Sequence, residues 1–194
     1  MIWLLNLITL ILSTLGLAYF YGYSVQPFCK SAKLHDSAFK KCADYRLISG
    51  IFEFTIMLNY IVFFIYPIPR IPDLFNEISY AYLLGSILFI SGLILLFMAI
   101  KAAGKETMKP NEKTEMFKGI YLFIRHPQTL GTLIVWFGIA IASNRLFLLL
   151  YTIILSLIYI YITYVEESDL IMKYGEDYLK YREKTGRFFP KIKK

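Results

Sequence analysis

Charged residues are scarce in this chain. Asp, Glu, Lys and Arg together make up 18% of the 194 residues, whereas hydrophobic residues make up 57%. A soluble globular domain carries about a quarter charged residues. The low charge content, together with a mean hydropathy of +0.54, therefore argues against a soluble protein.

Cysteine and histidine are also few, with two residues of each type. Cys29 and Cys42 flank a polar loop that contains His35, but a structural zinc site needs four ligands at closer spacing, so we predict no metal here. A disulfide between the cysteines is not expected if this loop faces the cytoplasm. The sequence shows no Ser-His-Asp set and no glycine-rich phosphate loop, which leaves the common hydrolases and nucleotide-binding folds without support.

Long apolar segments dominate what is present. They cover residues 2–23, 47–66, 78–100, 129–143 and 146–165. About 20 apolar residues in a helix cross the hydrocarbon layer, and the segments lack the period-two alternation of a membrane barrel. The sequence therefore predicts an all-α polytopic membrane protein with about five transmembrane helices. The fourth segment is about 23 Å long as a helix, so it barely spans.

The first apolar segment is expected to be retained as a transmembrane helix. It has no basic region before it and no small-x-small cleavage site after it, both of which a signal peptide would show. We divide the chain into residues 1–118, with the first three helices and basic loops, and residues 119–194, with the remaining hairpin and tail. Both parts are expected to form one structural domain.

Basic residues are distributed very unevenly between the two sides of the predicted bundle. Five lie between the first two segments, six between the third and fourth, and eight in the tail, whereas only Arg70 and Arg145 fall in the other two loops. The positive-inside rule then places the N-terminus outside and the tail in the cytoplasm. The net charge of +7 is explained by contact with anionic lipid. Nucleic acid is not an expected partner, since no recognition module is visible.

Polar residues at the cytoplasmic ends of the last two segments indicate a functional site. Arg125-His126-Pro127 precedes the fourth segment, and Glu166-Glu167 follows the fifth. Pro127 favours a helix start, and free N–H groups beside His126 suit an anionic or polar ligand group. The segments between them form a short hairpin, so His126 and the glutamates should meet at one membrane surface. Costly ionisable groups at membrane depth are functional candidates.

The tail after Glu167 has the pattern of an amphipathic helix. Leu170, Tyr174, Tyr178 and Tyr181 recur near helical spacing, with charged residues opposite. Such a helix lies on the membrane surface or closes as a lid over the hairpin, and the two interpretations are compatible. Glu53, inside the second segment, is expected to reach back to the interface; the alternative is that it faces a polar cavity. Four glycines, at positions 85, 92, 131 and 138, are expected to permit close helix packing.

These features in this order resemble the C-terminal part of isoprenylcysteine carboxyl methyltransferases and the related phospholipid N-methyltransferases. The resemblance covers residues 119–194 and includes Tyr174-Gly175-(x)2-Tyr178-(x)2-Tyr181, with Pro190 at its end. It suggests a small prokaryotic or archaeal member. It implies S-adenosylmethionine as cofactor, S-adenosylhomocysteine as product, and a lipophilic acceptor held in the bilayer, namely the carboxylate of a prenylated cysteine. Oligomerisation is not required.

The resemblance also implies roles for individual residues. His126 and Glu167 are expected to be catalytic. The expected cofactor-binding residues are Tyr121, Leu122, Arg125, His126, Pro127, Leu130, Glu167 and Tyr178. The expected substrate-binding residues are Glu166, Gly131, Arg182 and Arg187, with a sideways opening for the lipid near Gly131.

Two departures from the family pattern bear on the acceptor. The family often has tyrosine two residues after the proline, where this chain has Thr129. Eukaryotic prenylcysteine enzymes carry arginine about one turn before the Glu pair, where this chain has Tyr161-Ile162-Thr163. If that arginine grips the substrate carboxylate, its absence weakens the case for prenylcysteine.

Other functions remain open at this stage. An amine acceptor, as in phospholipid N-methylation, would have to lose a proton, and Glu167 or His126 would then serve as base. An NADPH-dependent membrane sterol-type reductase would share the His-Pro and a tyrosine-rich tail. A non-enzymatic membrane protein would bind neither cofactor.

Overall fold

The computed structural model describes residues 2–26, 37–104 and 118–191. Cys29, His35 and Lys109 lie outside these ranges. The helices are α1 (Ile2–Ser24), α2 (Ser37–Ile65), α3 (Ile78–Ala103), α4 (Pro127–Ala142), α5 (Leu146–Tyr174) and α6 (Glu176–Lys184), with a short 3-10 turn at Gly119–Leu122. No strand occurs in the described ranges, where β pairing is limited to two isolated bridges.

The helix pattern confirms the prediction of an all-α polytopic membrane protein. Helices α1, α2, α3 and α5 are long and apolar enough to cross a membrane, and α4 is a shorter apolar helix of 16 residues. Two helices extend beyond the predicted apolar segments. Helix α2 begins at Ser37, and α5 continues to Tyr174. Glu166 and Glu167 therefore lie within α5, not at its C-terminal end.

The core is formed by α1, α2, α4 and α5. Leu10, Tyr60, Trp136 and Leu155 are almost fully buried in it. Polar groups inside the bundle are paired: the Tyr151 and Thr14 hydroxyls lie 2.6 Å apart. This pairing is expected because hydrocarbon offers no water to satisfy a polar group.

Glu53 differs from its sequence-based prediction. Its Oε1 accepts a hydrogen bond of 2.7 Å from the Tyr159 hydroxyl inside the bundle. The expectation that this carboxylate reaches back to the interface is therefore wrong. The cost of keeping it at this depth is lowered because Tyr159, on the neighbouring helix α5, supplies a donor.

Glycine residues hold α3 and α4 in close contact. A Cβ on Gly138 would lie 2.6 Å from the backbone nitrogen of Phe89, and one on Gly131 would lie 2.8 Å from that of Leu96. Such contacts confirm the predicted packing role of small residues. They also contradict the sideways opening predicted near Gly131, because the α3 backbone fills that space. A larger side chain at Gly131, such as leucine, would push α3 and α4 apart.

The order of the helices places the chain's two polar segments at one end of the bundle. Residues 118–126 precede α4, while Tyr174 ends α5 and leads into α6 at the same end. The α4–α5 turn lies at the opposite end, where Asn144 is hydrogen-bonded to the backbone of Phe75. The hairpin thus joins Arg125-His126 to Glu166-Glu167, as the sequence predicts.

Candidate active site

The segment before α4 presents Arg125 and His126 to the C-terminal tail. His126 is the N-cap of α4, and Pro127 occupies the first helical position, where its missing N–H is not needed. The backbone N–H of Arg125 donates to the carbonyl of Gly186 at 2.9 Å, and that of His126 donates to the carbonyl of Arg187 at 3.1 Å. Residues 124–126 and residues 186–187 therefore pair side by side, as two short parallel strands do.

The tail reaches this position through a turn at Gly175. Its φ of +55° is a conformation that glycine adopts without steric cost, and it ends α5 and starts α6. Tyr178 on α6 is fully buried. The Tyr181 hydroxyl donates to the carbonyl of Tyr121 at 2.6 Å. The amphipathic tail thus packs against residues 118–126 and covers the end of the hairpin.

Glu167 is the centre of the polar cluster. Its side chain is 5% exposed, its Oε1 lies 2.9 Å from Arg125 Nε and 3.1 Å from His126 Nε2, and its Oε2 lies 2.7 Å from Arg187 Nη2. Hydrogen bonds between charged groups are the stronger kind, and burial reduces their screening by water. One carboxylate therefore ties together the segment before α4, helix α5 and the tail.

His126 lies between the two glutamates. Its Nε2 faces Glu167, and its Nδ1 lies 3.3 Å from Glu166 Oε2. Burial lowers the pKa of His126, but the hydrogen bonds and negative charges of Glu166 and Glu167 outweigh it and leave the pKa above its ordinary value. Two carboxylate acceptors require a proton on each ring nitrogen, so this geometry favours the imidazolium.

Two arginines complete the cluster through different contacts. Arg125 Nη1 donates to the carbonyls of Thr185 and Arg182, which anchors the loop after α6. The Arg187 guanidinium lies 3.4 Å from the centre of the Tyr164 ring, a favourable cation–π arrangement. Arg187 therefore approaches α5 one turn before the glutamate pair.

An open cleft of about 350 Å³ lies beside this cluster. It is lined by Arg125, Glu167, Arg182, Glu183, Arg187 and Lys191. Two buried polar atoms in this region have no hydrogen-bond partner, the Tyr178 hydroxyl and Arg187 Nη1. Buried polar groups are nearly always satisfied, so orphaned ones indicate a place for a polar ligand.

The structure groups most of the predicted site residues. Arg125, His126 and Arg187 each contact Glu167, and His126 also contacts Glu166. Tyr121 and Tyr178 border the cluster, where the Tyr178 hydroxyl is close enough to Glu167 for electrostatic interaction. Pro127 is buried at the start of α4.

Other predicted residues lie apart from the cluster. The Leu122 side chain is 57% exposed, and Leu130 is half-buried on α4. Gly131 contacts α3. Arg182 is exposed at the edge of the cleft, where its carbonyl, not its side chain, contacts Arg125.

Three residues that support the polar cluster were not predicted from the sequence. Tyr164 supports Arg187, Thr185 supplies a carbonyl to Arg125, and Gly186 pairs with residues 124–125. Tyr164 lies three residues before Glu167, and residues at this spacing are neighbours on a helix surface, so the sequence contains a signal for Tyr164. Backbone contacts of Thr185 and Gly186 have no signal in the sequence.

Known proteins share features with this chain. The phospholipid methyltransferase family model matches residues 80–177. The protein-S-isoprenylcysteine O-methyltransferase of Xenopus laevis is 30% identical over 133 residues, covering 63% of this chain and 44% of that protein. Methanethiol S-methyltransferase 1 of Bradyrhizobium diazoefficiens is 32% identical over 90 residues, covering 45% of this chain and 29% of that protein.

The chain thus spans less than half the length of these two curated relatives. No solved structure matches. The family match takes in α3, α4 and α5, the last two of which form the hairpin behind the polar cluster, and the resemblance to isoprenylcysteine methyltransferases is confirmed at the level of the family. The chain belongs to the phospholipid methyltransferase family, which includes the isoprenylcysteine methyltransferases.

Proposed function

We propose that this membrane protein transfers a methyl group from S-adenosylmethionine to a lipophilic acceptor held in the bilayer, the carboxylate of a prenylated cysteine. The observation that carries the proposal is the cluster around Glu167. Three separate segments bring two arginines, a histidine and two carboxylates together at one end of an apolar bundle. Family membership and the names of the two relatives support methyl transfer as the chemistry.

The residues present fit the proposed cofactor. Its amino-acid end carries a carboxylate and an ammonium group, and the unpaired Tyr178 hydroxyl can donate to the first or accept from the second. We propose that His126, Glu167 and Arg125 hold this end, with Tyr121 and Pro127 beside them. Leu122 and Leu130 remain proposed neighbours of the adenosine group. When bound, the cofactor supplies an electrophilic methyl group on a sulfonium.

The protein's own contribution is positioning and exclusion of water. A carboxylate acceptor is already ionised near neutral pH, so it needs no general base. The tail covers the end of the hairpin through Tyr178 and through the pairing of residues 186–187 with 124–126. Holding two reactants in line in a dry site supplies most of the rate that such a transfer needs.

Arg187 supports a carboxylate as the acceptor. The family's arginine one turn before the glutamate pair is missing from residues 161–163. The Arg187 guanidinium lies over Tyr164 and beside Glu167, so the tail brings a positive charge close to that position. Arginine binds carboxylates well because its planar donors match both oxygens. We propose that Arg187 serves this role, with Arg182 at the edge of the cleft.

Calorimetric titration of the purified protein tests the cofactor. We expect binding of S-adenosylhomocysteine and no binding of NADPH, which would instead indicate a sterol-type reductase. Binding of neither compound would overturn the proposed function. Transfer of a labelled methyl group to a prenylated cysteine, a thiol or an aminophospholipid then distinguishes the acceptors. Labelling of the thiol or the aminophospholipid alone would replace the prenylcysteine.

We propose that the site faces the cytoplasm. The support is the charge distribution, with nineteen basic residues on the side of the site and two on the other. A cysteine introduced at position 144 should react with a membrane-impermeant reagent only from the extracytoplasmic side. Reaction from the cytoplasmic side alone would reverse the orientation. The tail, labelled at position 184, serves as the opposite control.

A further inference from the structure

A groove in the half of the bundle opposite the polar cluster has no part in the proposed chemistry. It has a volume of about 330 Å³ and is lined by residues within the ranges 60–64 of α2, 82–89 of α3 and 138–143 of α4. Along α4, Gly138 lies about 16 Å from Pro127 at the cluster. The groove is therefore separate from the candidate active site.

The packing of the helices explains why the groove is there. Helix α3 lies against the backbone of α4, where a Cβ on Gly85 would be 2.5 Å from the backbone nitrogen of Ala142. Helix α2 meets α4 through large rings instead, since the ring centres of Tyr60 and Trp136 are 5.0 Å apart. Because α3 approaches α4 closely and aromatic rings keep α2 farther away, a gap remains between α2 and α3.

The wall of the groove is apolar, and polar groups in it are already paired. The Tyr60 hydroxyl lies 3.0 Å from Thr152 Oγ1, and Ser143 Oγ donates to the carbonyl of Ala140 at 2.6 Å. Ile61, Phe64 and Phe89 remain exposed. Water does not occupy such an apolar space, and an unfilled space would lose the dispersion contacts of its lining. The groove therefore favours an apolar occupant.

The dimensions of the groove indicate which apolar group fits. Its lining on α3 runs from Tyr82 to Phe89, about 10 Å along the helix, so its mean cross-section is roughly 30 Å². Carbon atoms pack about 4 Å apart, and an extended hydrocarbon chain thus fills roughly 20 Å². A helix about 10–12 Å in diameter needs roughly 80 Å² or more. The groove is therefore wide enough for one hydrocarbon chain and too narrow for a helix of a second copy.

The segments of this chain outside the described ranges are poorly suited to the groove. Residues 27–36 and 105–117 join helix ends on the side of the polar cluster, at the other end of the bundle. Six of the thirteen residues in 105–117 are charged, and charged side chains are costly in hydrocarbon. The occupant should therefore come from the surrounding bilayer.

We propose that this groove binds one hydrocarbon chain of a bilayer lipid from the leaflet opposite the polar cluster. The bound chain packs against α2, α3 and α4 and sets the distance between α2 and α3. Its binding energy comes from packing, because a lipid chain is already in an apolar environment before it binds. The proposal is independent of methyl transfer, since no residue of the polar cluster lines the groove.

Photolabelling of the protein in vesicles tests this site. The probe is a phosphatidylcholine with a diazirine in the middle of one acyl chain, diluted into phosphatidylcholine, and mass spectrometry locates the labelled residues. Leu83 and Ile87 are the reference, because they lie on the same part of α3, are 60% and 56% exposed, and do not line the groove. We expect Phe64, Phe89 and Ile139 to be labelled at least about threefold more, because a packed chain stays beside them.

Filling the groove should remove this preference. Ser86 is exposed in the groove, so Ser86→Phe should lower the labelling of Phe64 and Ile139 at least about fivefold, because the new ring takes the place of the chain. Ser91→Phe is the matched control, because Ser91 is exposed on the same helix but does not line the groove. It should change nothing. If Ser86→Phe does not fold, Ile61→Trp fills the groove from α2.

Three results would overturn the proposal. Equal labelling of the groove and of Leu83 and Ile87, unchanged by Ser86→Phe, would mean ordinary contact with the bilayer only. Labelling of the groove that disappears when a farnesylated cysteine is added would assign the groove to the chain of the methyl acceptor. A groove that stays unlabelled in a dimeric protein would assign it to a second copy. None of these results would affect the proposed methyl transfer, which the calorimetric titration tests separately.

Discussion

Replacement of Glu167 by alanine is expected to release residues 185–191 from the bundle and to lower stability more than any other single change of charge. The variant removes three ion pairs at once and leaves the Arg125 side chain, which is 8% exposed, without its carboxylate. Breaking a buried ion pair by removing one partner costs about 3–5 kcal/mol. A lower midpoint of thermal unfolding and faster hydrogen exchange in the tail would report this loss.

Glu183→Ala is the matched control for this prediction. Glu183 lines the same cleft and carries the same charge, but its side chain has no ion pair among the described residues. Its replacement should leave the unfolding midpoint and the exchange rates of the tail nearly unchanged. Equal effects of the two substitutions would show that the net charge of the cleft matters and the ion pairs of Glu167 do not.

Replacement of Gly186 by alanine is expected to have a comparably large effect without any change of charge. A Cβ at this position would overlap the carbonyl oxygen of Phe189, so the turn after α6 could not keep its shape. The hydrogen bonds from the backbone of Arg125 and His126 would be lost, and Arg187 would move away from Glu167. Loss of these two hydrogen bonds alone is expected to lower the free energy of unfolding by about 2 kcal/mol.

Thermal unfolding and S-adenosylhomocysteine affinity measure the effect of Gly186→Ala, and both should fall. Gly50→Ala is the control, because a Cβ at Gly50 meets no atom within 4 Å and alanine favours a helix. A Gly186→Ala protein with unchanged stability and affinity would mean that the pairing of the tail with residues 124–126 contributes nothing to the site.

The sequence is sufficient to predict the fold and the contact between His126 and Glu167 in the candidate site. Long apolar segments predict transmembrane helices because hydrocarbon cannot form hydrogen bonds with backbone N–H and C=O groups, which must therefore pair with each other. His126 and Glu167 could be paired in advance because a short hairpin brings its ends together. In the first case the constraint acts within a single apolar segment. In the second case it acts between two consecutive segments that a short turn connects.

Contacts between distant segments could not be predicted in the same way. The sequence predicts a lipid entrance near Gly131 and an interfacial position for Glu53 because it specifies each helix but not the helix that packs beside it. The structure shows Leu96 beside Gly131 and Tyr159 beside Glu53. The sequence predicts Arg187 as a basic site residue, but its position over Tyr164 depends on an irregular turn that has no periodic pattern.

The unequal lengths of α4 and α5 set how deep the cluster lies. Helix α5 rises about 32 Å from Leu146 to Glu167, whereas the 16 residues of α4 rise only about 23 Å to the same cluster. The hydrocarbon layer is about 30 Å thick, so α5 crosses it up to the cluster whereas α4 is too short to do so. We therefore expect the cluster to lie near the level where acyl chains meet headgroups. A lipid-anchored substrate could react there with its chain still dissolved in the bilayer, and it would keep the roughly 0.8 kcal/mol that each buried CH₂ contributes.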